Sequence, residues 1–401
     1  MYRASVCPER AVQFHLVFLA TAVGVLFVPG RLCADVFGDY SLTDSYESPQ
    51  PESVFDHLPD GRAVFLHYAD VYLESAVQSR SFTLLGTLPD ADMPPLYSAA
   101  FIRVSPDGGK IAVGNNGGSD WQTYEVGVFD FPSLGGNWYS LDHWDAEWYD
   151  NTLLMITAGG YPLPSWVLTL NVTSGATTTV IGNIDGASAG ITFDTSGNLY
   201  TGNGWTYGGS SGTGWVKAFE HELWTAALDQ QQPLDFEARG VLVVDILSAL
   251  SLGFDVEGNL YIGGGDAAGG DSEVDFVALI SADAVGEALA GGGPANPDDP
   301  SEVRRFDPDA TQSDNFYTVG YSSVTSELHL TDTDDGTVFV YSPTPHPVPA
   351  VSEWGLLAMT LVCLTSGTLM LRRGRSVPAD CDLVLSAEPS ASGCPQRGEA
   401  R

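Results

Sequence analysis

Short stretches of alternating apolar and polar residues recur along most of the chain, and each is followed by a glycine-containing turn and a second apolar stretch. The clearest unit runs from Ala99 to Gly114, and similar units occupy residues 189–202 and 251–263. Alternation with a period of two is typical of half-buried β-strands, and Asp-Gly or Gly-Asn turns supply the positive φ that a tight hairpin requires. The pattern therefore predicts a series of β-hairpins and an all-β fold.

The hairpin units recur at intervals that match one blade of a β-propeller. Three less regular copies complete the series, and they run through residues 54–65, 144–157 and 305–321. The reference residues before the turns, at positions 60, 107, 150, 196 and 257, are separated by 47, 43, 46 and 61 residues. A third apolar strand usually follows each unit, and a fourth follows less clearly. A period of about 40–50 residues with four short strands is the size of a propeller blade.

This repeat resembles the generic blade of NHL or gluconolactonase-like β-propellers, and it lacks the Gly-His and Trp-Asp marks of WD40 blades. The resemblance implies a β-propeller over residues 35–342, with six blades, or with seven as the alternative. A β-sandwich array or a β-helix would also alternate in this way. Repeat length and turn chemistry together favour the propeller.

The body of the chain is strongly acidic and contains no cysteine. Between Asp35 and Glu353 there are 46 acidic residues against 8 lysines and arginines, so the formal charge of this part is −38. Such a field repels phosphate backbones, which excludes a nucleic-acid-binding protein; adaptation to salty surroundings is the plainest interpretation of the charge. All five cysteines lie in the flanking segments, so the body holds no disulfide and no cysteine-based site.

The N-terminal residues have the pattern of a secretory signal. Arg3 and Arg10 precede an apolar run over residues 11–28, and the helix-breaking pair Pro29-Gly30 is followed by the small residue Ala34. A basic segment, an apolar segment and a small-residue cleavage site are the parts of a signal peptide. We therefore predict a signal helix in residues 1–34 with cleavage after Ala34; an uncleaved anchor helix is the alternative.

A second apolar run covers residues 354–371 and carries no charge. A proline-rich spacer and a short polar motif, residues 343–353, precede it, and a basic cluster with a tail, residues 372–401, follows. The run is 18 residues long, which is just sufficient for a helix to span a bilayer. The basic cluster predicts that its C-terminal side, including the tail, is cytoplasmic and that the body is outside.

The segment from Pro349 to Gly355, with the apolar run and the arginines, resembles the bacterial IPTL-type C-terminal sorting signal, which is related to PEP-type signals. The resemblance implies a Gram-negative-type bacterium, an exosortase-like sorting protease as partner, anchoring in the inner membrane during sorting, and then a cell-surface or extracellular location. The chain departs from the class because it continues for 26 residues from Ser376. The signal residues are Pro349, Ser352, Glu353, Trp354, Gly355, Arg372 and Arg373.

The segments after three of the second strands are rich in glycine, asparagine, aspartate and aromatic residues, and in a propeller they lie at one face. Aromatic rings there can stack on a sugar, hard oxygen ligands can hold Ca²⁺, and glycine and asparagine can also serve only as turn residues. The predicted ligand-binding residues are Asn115, Asn116, Trp121, Asn203, Trp205 and Tyr207. The predicted Ca²⁺ ligands are Asp120, Asp266, Asp271 and Glu273.

The densest group of catalytic-type side chains, His143, Asp145 and Glu147, surrounds the start of one innermost strand. A histidine between carboxylates can act as a base or a metal ligand. No paired motif accompanies it, and the body contains no Gly-x-Ser-x-Gly elbow and no Walker loop, so we favour a structural role for His143.

These features together predict an exported, membrane-sorted, acidic β-propeller that acts as an extracellular binding or cell-surface module for a glycan or another exported protein. Two alternatives stay open. One is a propeller hydrolase or lactonase that depends on a divalent metal, and the other is a structural spacer of a surface layer. No motif in the sequence requires an enzyme.

Overall fold

Each hairpin unit forms the inner half of a β-sheet of four or five strands. In the computed structural model, the described residues are 40–89, 100–115, 124–159, 164–186, 188–204, 214–264, 276–306, 317–332 and 336–343. These residues form 25 strands in six sheets, and the innermost strands of successive sheets pack side by side, with the sixth against the first. The arrangement is a six-bladed β-propeller, which confirms the prediction from the repeat.

The first three blades run from the innermost to the outermost strand in chain order. Blade 1 comprises β2 (Val54–His57), β3 (Ala63–His67), β4 (Asp70–Glu74) and β5 (Phe82–Thr87). Blade 2 comprises β6 (Ile102–Val104), β7 (Lys110–Asn115), β8 (Glu125–Asp130) and β9 (Gly136–Ser140). Blade 3 comprises β10 (Asp145–Trp148), β11 (Leu153–Ala158), β12 (Ser165–Asn171) and β13 (Ala176–Ile184), with β17 (Leu234–Asp235) added at its outer edge.

The last three blades carry the helices and the closing strand. Blade 4 comprises β14 (Ser188–Phe193), β15 (Leu199–Asn203), β16 (Gly214–Phe219) and β18 (Val241–Ile246), with helices α1 (His221–Gln230) and α2 (Phe236–Arg239) before its last strand. Blade 5 comprises β19 (Ser251–Phe254), β20 (Leu260–Gly263), β21 (Val277–Ile280) and β22 (Val303–Phe306), with helix α3 (Ala282–Leu289) before its last strand. Blade 6 comprises β23 (Tyr317–Ser322), β24 (Glu327–Asp332), β25 (Thr337–Pro343) and β1 (Tyr40–Glu47).

The first described strand closes the ring. β1 pairs antiparallel with β25, so the outermost strand of the last blade comes from the other end of the propeller sequence. The Tyr40 hydroxyl also donates to Asp255 Oδ2 of blade 5 at 3.2 Å. Because the backbone of β1 is hydrogen-bonded into a sheet made by the other end of the propeller, blade 6 cannot be completed until both ends are in place.

Apolar packing is divided among the interfaces between blades. Six clusters of buried apolar side chains occur in the described residues, and each joins two neighbouring blades. Between blades 1 and 2, for example, Val64 and Leu66 pack with Ile102 and Ile111. The burial of apolar area at each interface stabilises the ring by about 25 cal/mol per Å². The innermost strands near the axis are therefore able to carry polar side chains.

The turns between the first and second strands are compact in blades 4 and 5, where the sequence Asp-x-x-Gly-Asn occurs twice. Asp194 Oδ1 accepts the N–H groups of Ser196 and Asn198, and Asp255 Oδ1 accepts those of Glu257 and Asn259. In each turn the asparagine amide donates to the other carboxylate oxygen at 2.8 Å. We call the side of the ring that carries these turns the turn face.

The same asparagines hold the helices against the turn face. Asn198 Oδ1 accepts the N–H of His221, the first residue of α1, at 3.0 Å. Asn259 Oδ1 accepts the N–H of Ala282, the first residue of α3, at 2.8 Å. The first N–H groups of a helix have no partner within it, so each asparagine satisfies one of them. Both helices are insertions, which explains why the interval between the turns at positions 196 and 257 reaches 61 residues.

The sixth unit lies later in the chain than the sequence pattern suggested. Residues 303–306 are the outermost strand of blade 5, and the innermost strand of blade 6 begins at Tyr317. Its turn lies between Ser322 and Ser326, and it contains no glycine. The polar run Glu302–Asp309 resembled an earlier unit only in composition, so the predicted copy in residues 305–321 was displaced by about half a hairpin.

Several predicted segments fall outside the described residues. They are the signal helix of residues 1–34, the spacer and sorting motif of residues 343–353 apart from Pro343, the membrane segment of residues 354–371 and the tail of residues 372–401. In the part of the chain that the structure describes, no helix is both long enough and apolar enough to cross a membrane.

Candidate functional site at the propeller axis

The penultimate residue of each innermost strand forms a layer close to the axis of the ring. We call this set the axial layer; in order around the ring it consists of Asp56, Arg103, Glu147, Thr192, Gly253 and Tyr321. Half of the layer is ionisable and comes from three consecutive blades. An arginine between two carboxylates on adjacent strands creates a polar region in the otherwise apolar interior of the ring.

Arg103 is the centre of the layer and joins blades 2 and 3. Its Nη2 donates to Asp145 Oδ1 at 2.6 Å, its Nε donates to the Ala146 carbonyl at 2.9 Å, and its Nη1 donates to the Ile102 carbonyl at 3.0 Å. The Trp148 indole N–H donates back to the Arg103 carbonyl at 3.0 Å. Arg103 is only 8% exposed, so the guanidinium depends on these acceptors in place of water.

Two aspartates link neighbouring innermost strands through their second carboxylate oxygens. Asp56 Oδ2 accepts the N–H of Val104 in blade 2 at 2.6 Å. Asp145 Oδ2 accepts the N–H of Ile191 in blade 4 at 3.3 Å. Burial raises the pKa of Asp56, and the positive charge of Arg103 opposes that rise. The two links and the Arg103 contacts fix the spacing of the first four innermost strands.

Glu147 carries the most perturbed carboxyl of the layer. Its Oε1 accepts the N–H of Trp148 at 3.0 Å, and its side chain is half-buried. Burial raises the pKa of Glu147 to about 8; Arg103 lowers it, whereas Asp56 and Asp145 raise it. Three carboxyl groups share one guanidinium, so one of them holds a proton near neutral pH. Glu147 is therefore able to donate a hydrogen bond as well as to accept one.

Tyr261 fills the place that a side chain at position 253 would take. A Cβ on Gly253 would lie 2.2 Å from Cε2 of the Tyr261 ring, and the Tyr261 hydroxyl donates to the Phe254 carbonyl at 3.2 Å. Burial first, and then Asp255 and Glu147, raise the pKa of Tyr261 far above its ordinary value. The phenol stays neutral, and it completes the polar region on the side of blade 5.

The predicted catalytic candidates separate into two environments. Asp145 and Glu147 both belong to the polar region around Arg103. His143 is 3% exposed, and it packs edge-on against Phe101 and Tyr124. Burial lowers its pKa to about 4, and no hydrogen bond joins it to either carboxylate in the described structure. The histidine is a neutral packing residue there, which is the role that we favoured from the sequence.

Two of the predicted ligand-binding residues are described, and both are buried. Asn115 is 2% exposed and Asn203 is 1% exposed. Asn203 Oδ1 accepts the N–H of Trp215 at 2.6 Å, so it links the ends of β15 and β16. Both asparagines end the second strand of their blade, and they therefore lie at the same face of the ring, opposite the turn face.

The other predicted site residues stay predictions because they lie outside the described residues. These are the ligand candidates Asn116, Trp121, Trp205 and Tyr207 and the metal candidates Asp120, Asp266, Asp271 and Glu273. The sorting residues Pro349, Ser352, Glu353, Trp354, Gly355, Arg372 and Arg373 also lie outside them. In the described ranges no group of three histidine, cysteine, aspartate or glutamate residues is arranged to hold a metal ion.

Sequence reasoning missed Asp56, Arg103 and Tyr261. A signal for the first two was present, because each interrupts a run of apolar residues in an otherwise buried strand. Arg103 is also one of only 8 basic residues in the body. A scarce charge inside an apolar strand indicates a buried partner of opposite charge. Tyr261 gave no such signal, because a tyrosine in a strand is ordinary.

Comparisons with known proteins leave the chain without an assigned family. No protein-family model matches the chain, and no curated protein matches it. Among solved structures, a chain of a nidogen/laminin complex is 12% identical, with 67% of this chain and 82% of that chain covered, at a TM-score of 0.45.

Two further similar structures are propeller or cofactor domains of other proteins. The Cps50 (Swd1) β-propeller domain of Myceliophteria thermophila is 10% identical, with 76% of this chain and all of that chain covered, at a TM-score of 0.45. The PQQ domain of a pyranose dehydrogenase from Coprinopsis cinerea is 10% identical, with 75% and 97% covered, at a TM-score of 0.45. The assignment of this chain as a six-bladed β-propeller rests on its own strand pairing.

Proposed function

We propose that the protein is an exported, acidic β-propeller that acts as an extracellular or cell-surface binding module, and that its ligand engages the axial layer. The ligand class that we propose is a glycan or a polar segment of another exported protein. The observation that carries the proposal is the group of ionisable side chains, Asp56, Arg103 and Glu147, on three adjacent innermost strands.

The energetic cost of this group supports a binding role. Removing an ion pair or a lone carboxyl from water costs several kcal/mol, and an apolar replacement of similar volume is often at least as stable. Blades 4 and 5 show that the ring tolerates threonine or glycine at the same position. Perturbed carboxyls cluster preferentially at functional sites. Glu147 and Asp56 are half-buried, so a ligand that enters along the axis can reach both.

The signal and sorting segments support export. The basic, apolar and small-residue parts of residues 1–34 match a secretory signal, and residues 349–373 match a sorting signal in motif, apolar run and arginine cluster. The acidic body suits a soluble domain outside the cytoplasm, because a large net charge keeps a protein dispersed. The described body contains no cysteine, so its folding requires no oxidising step.

A binding screen with matched variants tests the axial site. The wild-type protein, Asp56→Asn and Glu147→Gln are screened against arrayed glycans and exported proteins, with Asp130→Asn as control because Asp130 pairs only with Lys110 at the surface. We expect each axial variant to weaken the selected ligand by at least about tenfold, which corresponds to 1.4 kcal/mol. Equal affinity in the wild type and both axial variants would refute the axial site.

A separate experiment tests export and sorting. Cells that express the tagged full chain are fractionated, and the same is done for a variant in which Pro349, Ser352 and Glu353 are replaced by alanine. We expect the wild type at the surface or in the medium and the variant in the inner membrane. Cytoplasmic wild-type protein with an intact N-terminus would contradict the export proposal.

The metal-dependent hydrolase remains the second candidate from the sequence, and its proposed ligands lie outside the described residues. A turnover assay on lactones and glycans with and without EDTA separates it from the binding module. Turnover that EDTA abolishes and Asp266→Asn impairs would favour the enzyme. Binding without turnover in both conditions would favour the module.

A further inference from the structure

The outer edges of the blades are treated in different ways, and two of them receive an added segment. In blade 3, β17 pairs parallel to the outermost strand, with Ile181 opposite Leu234. In blade 4, Val244 of the outermost strand forms a parallel bridge with Ala295. Both added segments come from the insertion in the following blade. An exposed strand edge is a template for pairing with another chain, and these insertions cover it.

The added segments dock next to a β-bulge. Val180 is the extra residue of β13 and Val243 is the extra residue of β18, because the register of each outermost strand shifts there. In both blades the residue that follows the bulge, Ile181 or Val244, takes the added segment. In blade 4 the N–H of Ala295 donates to the carbonyl of the bulged Val243 at 2.7 Å. A bulge leaves its residue unpaired within the ladder, which makes that carbonyl available.

Two other blades have the same bulge without an added segment in the described structure. Thr43 is the extra residue of β1 in blade 6, and Leu85 is the extra residue of β5 in blade 1. The edge of blade 6 is blocked, because Asp44 follows the bulge, accepts the N–H of Ser45 and pairs with Arg80 at 3.4 Å. A charged residue at this position is a known protection against edge pairing.

The edge of blade 1 has none of these protections. Gly86 follows the bulge, and a glycine inside a strand often marks a close approach of another backbone. Strand β5, with the sequence Phe-Thr-Leu-Leu-Gly-Thr, contains no charged residue and no proline. Leu84 beside the bulge is 50% exposed, and it is one of few large apolar side chains with that exposure among the described residues.

The chemistry of a partner follows from the charge of the body. Five of its 8 basic residues are held in ion pairs with carboxylates of the same chain: Arg62, Arg80, Arg103, Lys110 and Lys217. The formal charge of −38 between residues 35 and 353 therefore has little internal compensation. A second copy of the chain would bring two such charges together, whereas a basic segment would be attracted.

We propose that the bulged outer strand of blade 1 is a docking site for an extended, basic segment of a partner polypeptide, which adds parallel to β5 beside Gly86. The segment donates an N–H to the Leu85 carbonyl and covers Leu84 with an apolar side chain. The interaction reproduces, between two chains, the contact that blades 3 and 4 make within the chain, and it is independent of the axial layer. Main-chain pairing supplies affinity and alternate side chains supply specificity in this mode of recognition.

The test uses the full protein and the peptide acetyl-Lys-Val-Thr-Leu-Thr-Val-Lys-amide as probe. Binding is followed by fluorescence anisotropy, and the site is located by hydrogen exchange. We expect slowed exchange in residues 82–87, and binding at least about tenfold weaker for Leu84→Lys than for the wild type. Leu42→Lys is the matched control, because Leu42 is 52% exposed on the blocked edge of blade 6. A peptide with a methylated central backbone nitrogen has the same charge, and it should lose both effects.

Three outcomes overturn the proposal. One is binding that Leu84→Lys and backbone methylation leave unchanged, since non-specific charge attraction would explain it. Another is the absence of slowed exchange in residues 82–87 at millimolar peptide. The third is a wild-type dimer that Leu84→Lys converts to a monomer, which would make the occupant of this edge a second copy of the chain. Loss of axial ligand binding in the variants of the axial layer bears on none of these outcomes.

Discussion

Glu147 and Asp150 lie three positions apart, at the end of the same innermost strand and in the turn that follows it, yet their carboxyl groups behave in opposite ways. Burial raises the pKa of Glu147 to about 8. The pKa of Asp150 is lowered, because hydrogen bonds from the hydroxyl and N–H of Thr152 and the N–H of Leu153 outweigh a small effect of burial. The axis and the turn face therefore give carboxyl groups different roles.

The difference comes from the supply of N–H donors. At the turn face the backbone bends around each carboxylate, so two or more N–H groups point at one oxygen, as at Asp194 and Asp255. At the axis the N–H groups of the innermost strands are largely used in strand pairing, and Arg103 is the main compensating charge. Turn carboxylates hold the fold together, and axial carboxyls are left able to exchange protons and hydrogen bonds with a ligand.

Replacing Arg103 by methionine should give the largest effect and should break the comparison at its centre. The change leaves Asp145 buried at 4% exposure without its cation. We expect a loss of about 3–5 kcal/mol in the free energy of unfolding, which is typical of a buried ion pair that loses one partner. Urea unfolding measures it. The control Arg62→Met breaks an exposed pair with Asp60 and should cost at most about 1 kcal/mol. Equal losses in the two variants would mean that Asp145 is not effectively buried.

The pH dependence of stability should reveal Glu147. Its folded pKa of about 8 lies above the ordinary value of 4.5, so the folded state holds a proton that the unfolded state has released between those values. Stability therefore falls as pH rises through this window, by up to about 1.4 kcal/mol per pH unit from this group alone. Above pH 8 the contribution is constant.

Glu147→Gln isolates that contribution. We expect the variant to lose the decline between pH 4.5 and 8, so that the difference in unfolding free energy between variant and wild type grows with pH across the window. The comparison of the two proteins cancels the titration of other groups. Asp150→Asn is the matched change at the turn face, and it should not flatten the decline. A wild type and a Glu147→Gln variant with parallel pH profiles would show that Glu147 ionises normally.

Gly253→Ala should test how closely Tyr261 fills the axis. The new Cβ would lie 2.2 Å from the Tyr261 ring, so the ring or the strand must move. We expect a loss of about 1–3 kcal/mol, which is typical of overpacking. Gly286→Ala provides a control of opposite sign, because that glycine is in α3 with nothing near its Cβ position, and alanine favours the helix by about 1 kcal/mol. Thermal unfolding of both variants measures the contrast.

The sequence was informative about the turn face and nearly silent about the axis. Asp-x-x-Gly-Asn segments announce a hairpin locally, since the aspartate, glycine and asparagine all act within five residues. The repeat interval then predicted six blades. The partner of Arg103 is 42 residues away in the next blade, and β1 pairs with a strand roughly 300 residues later, so no local pattern could indicate either contact.

The helices and the added strands were missed for a related reason. α1 and α3 are short insertions whose apolar residues pack on a blade edge, and they do not disturb the alternation on either side. The only signal was the long interval before the fifth turn. The edge bridges at Leu234 and Ala295 involve one or two residues each, which is below what periodicity can detect.

The smallest expected effect compares the two asparagine clamps of the turn face. Asn198→Ala and Asn259→Ala each remove the acceptor for the first N–H of a helix and the amide that holds the turn aspartate. We expect each to cost about 1–2 kcal/mol, as for a lost buried hydrogen bond or helix cap. The two helices differ in what remains. Ser281 still caps α3 by accepting the N–H of Ala284, whereas Glu220 makes no side-chain cap at α1.

Amide exchange at the helix starts should therefore separate the two variants. Exchange in the first turn of α1 should accelerate more in Asn198→Ala than exchange in the first turn of α3 does in Asn259→Ala, because only α3 keeps a second cap. Exchange at the axial strands should stay unchanged in both, since the turn face and the axis are held by separate sets of contacts. Faster exchange in β10 or β14 in either variant would show that the turns and the axial carboxyls form one cooperative unit, and the separation of their roles would be wrong.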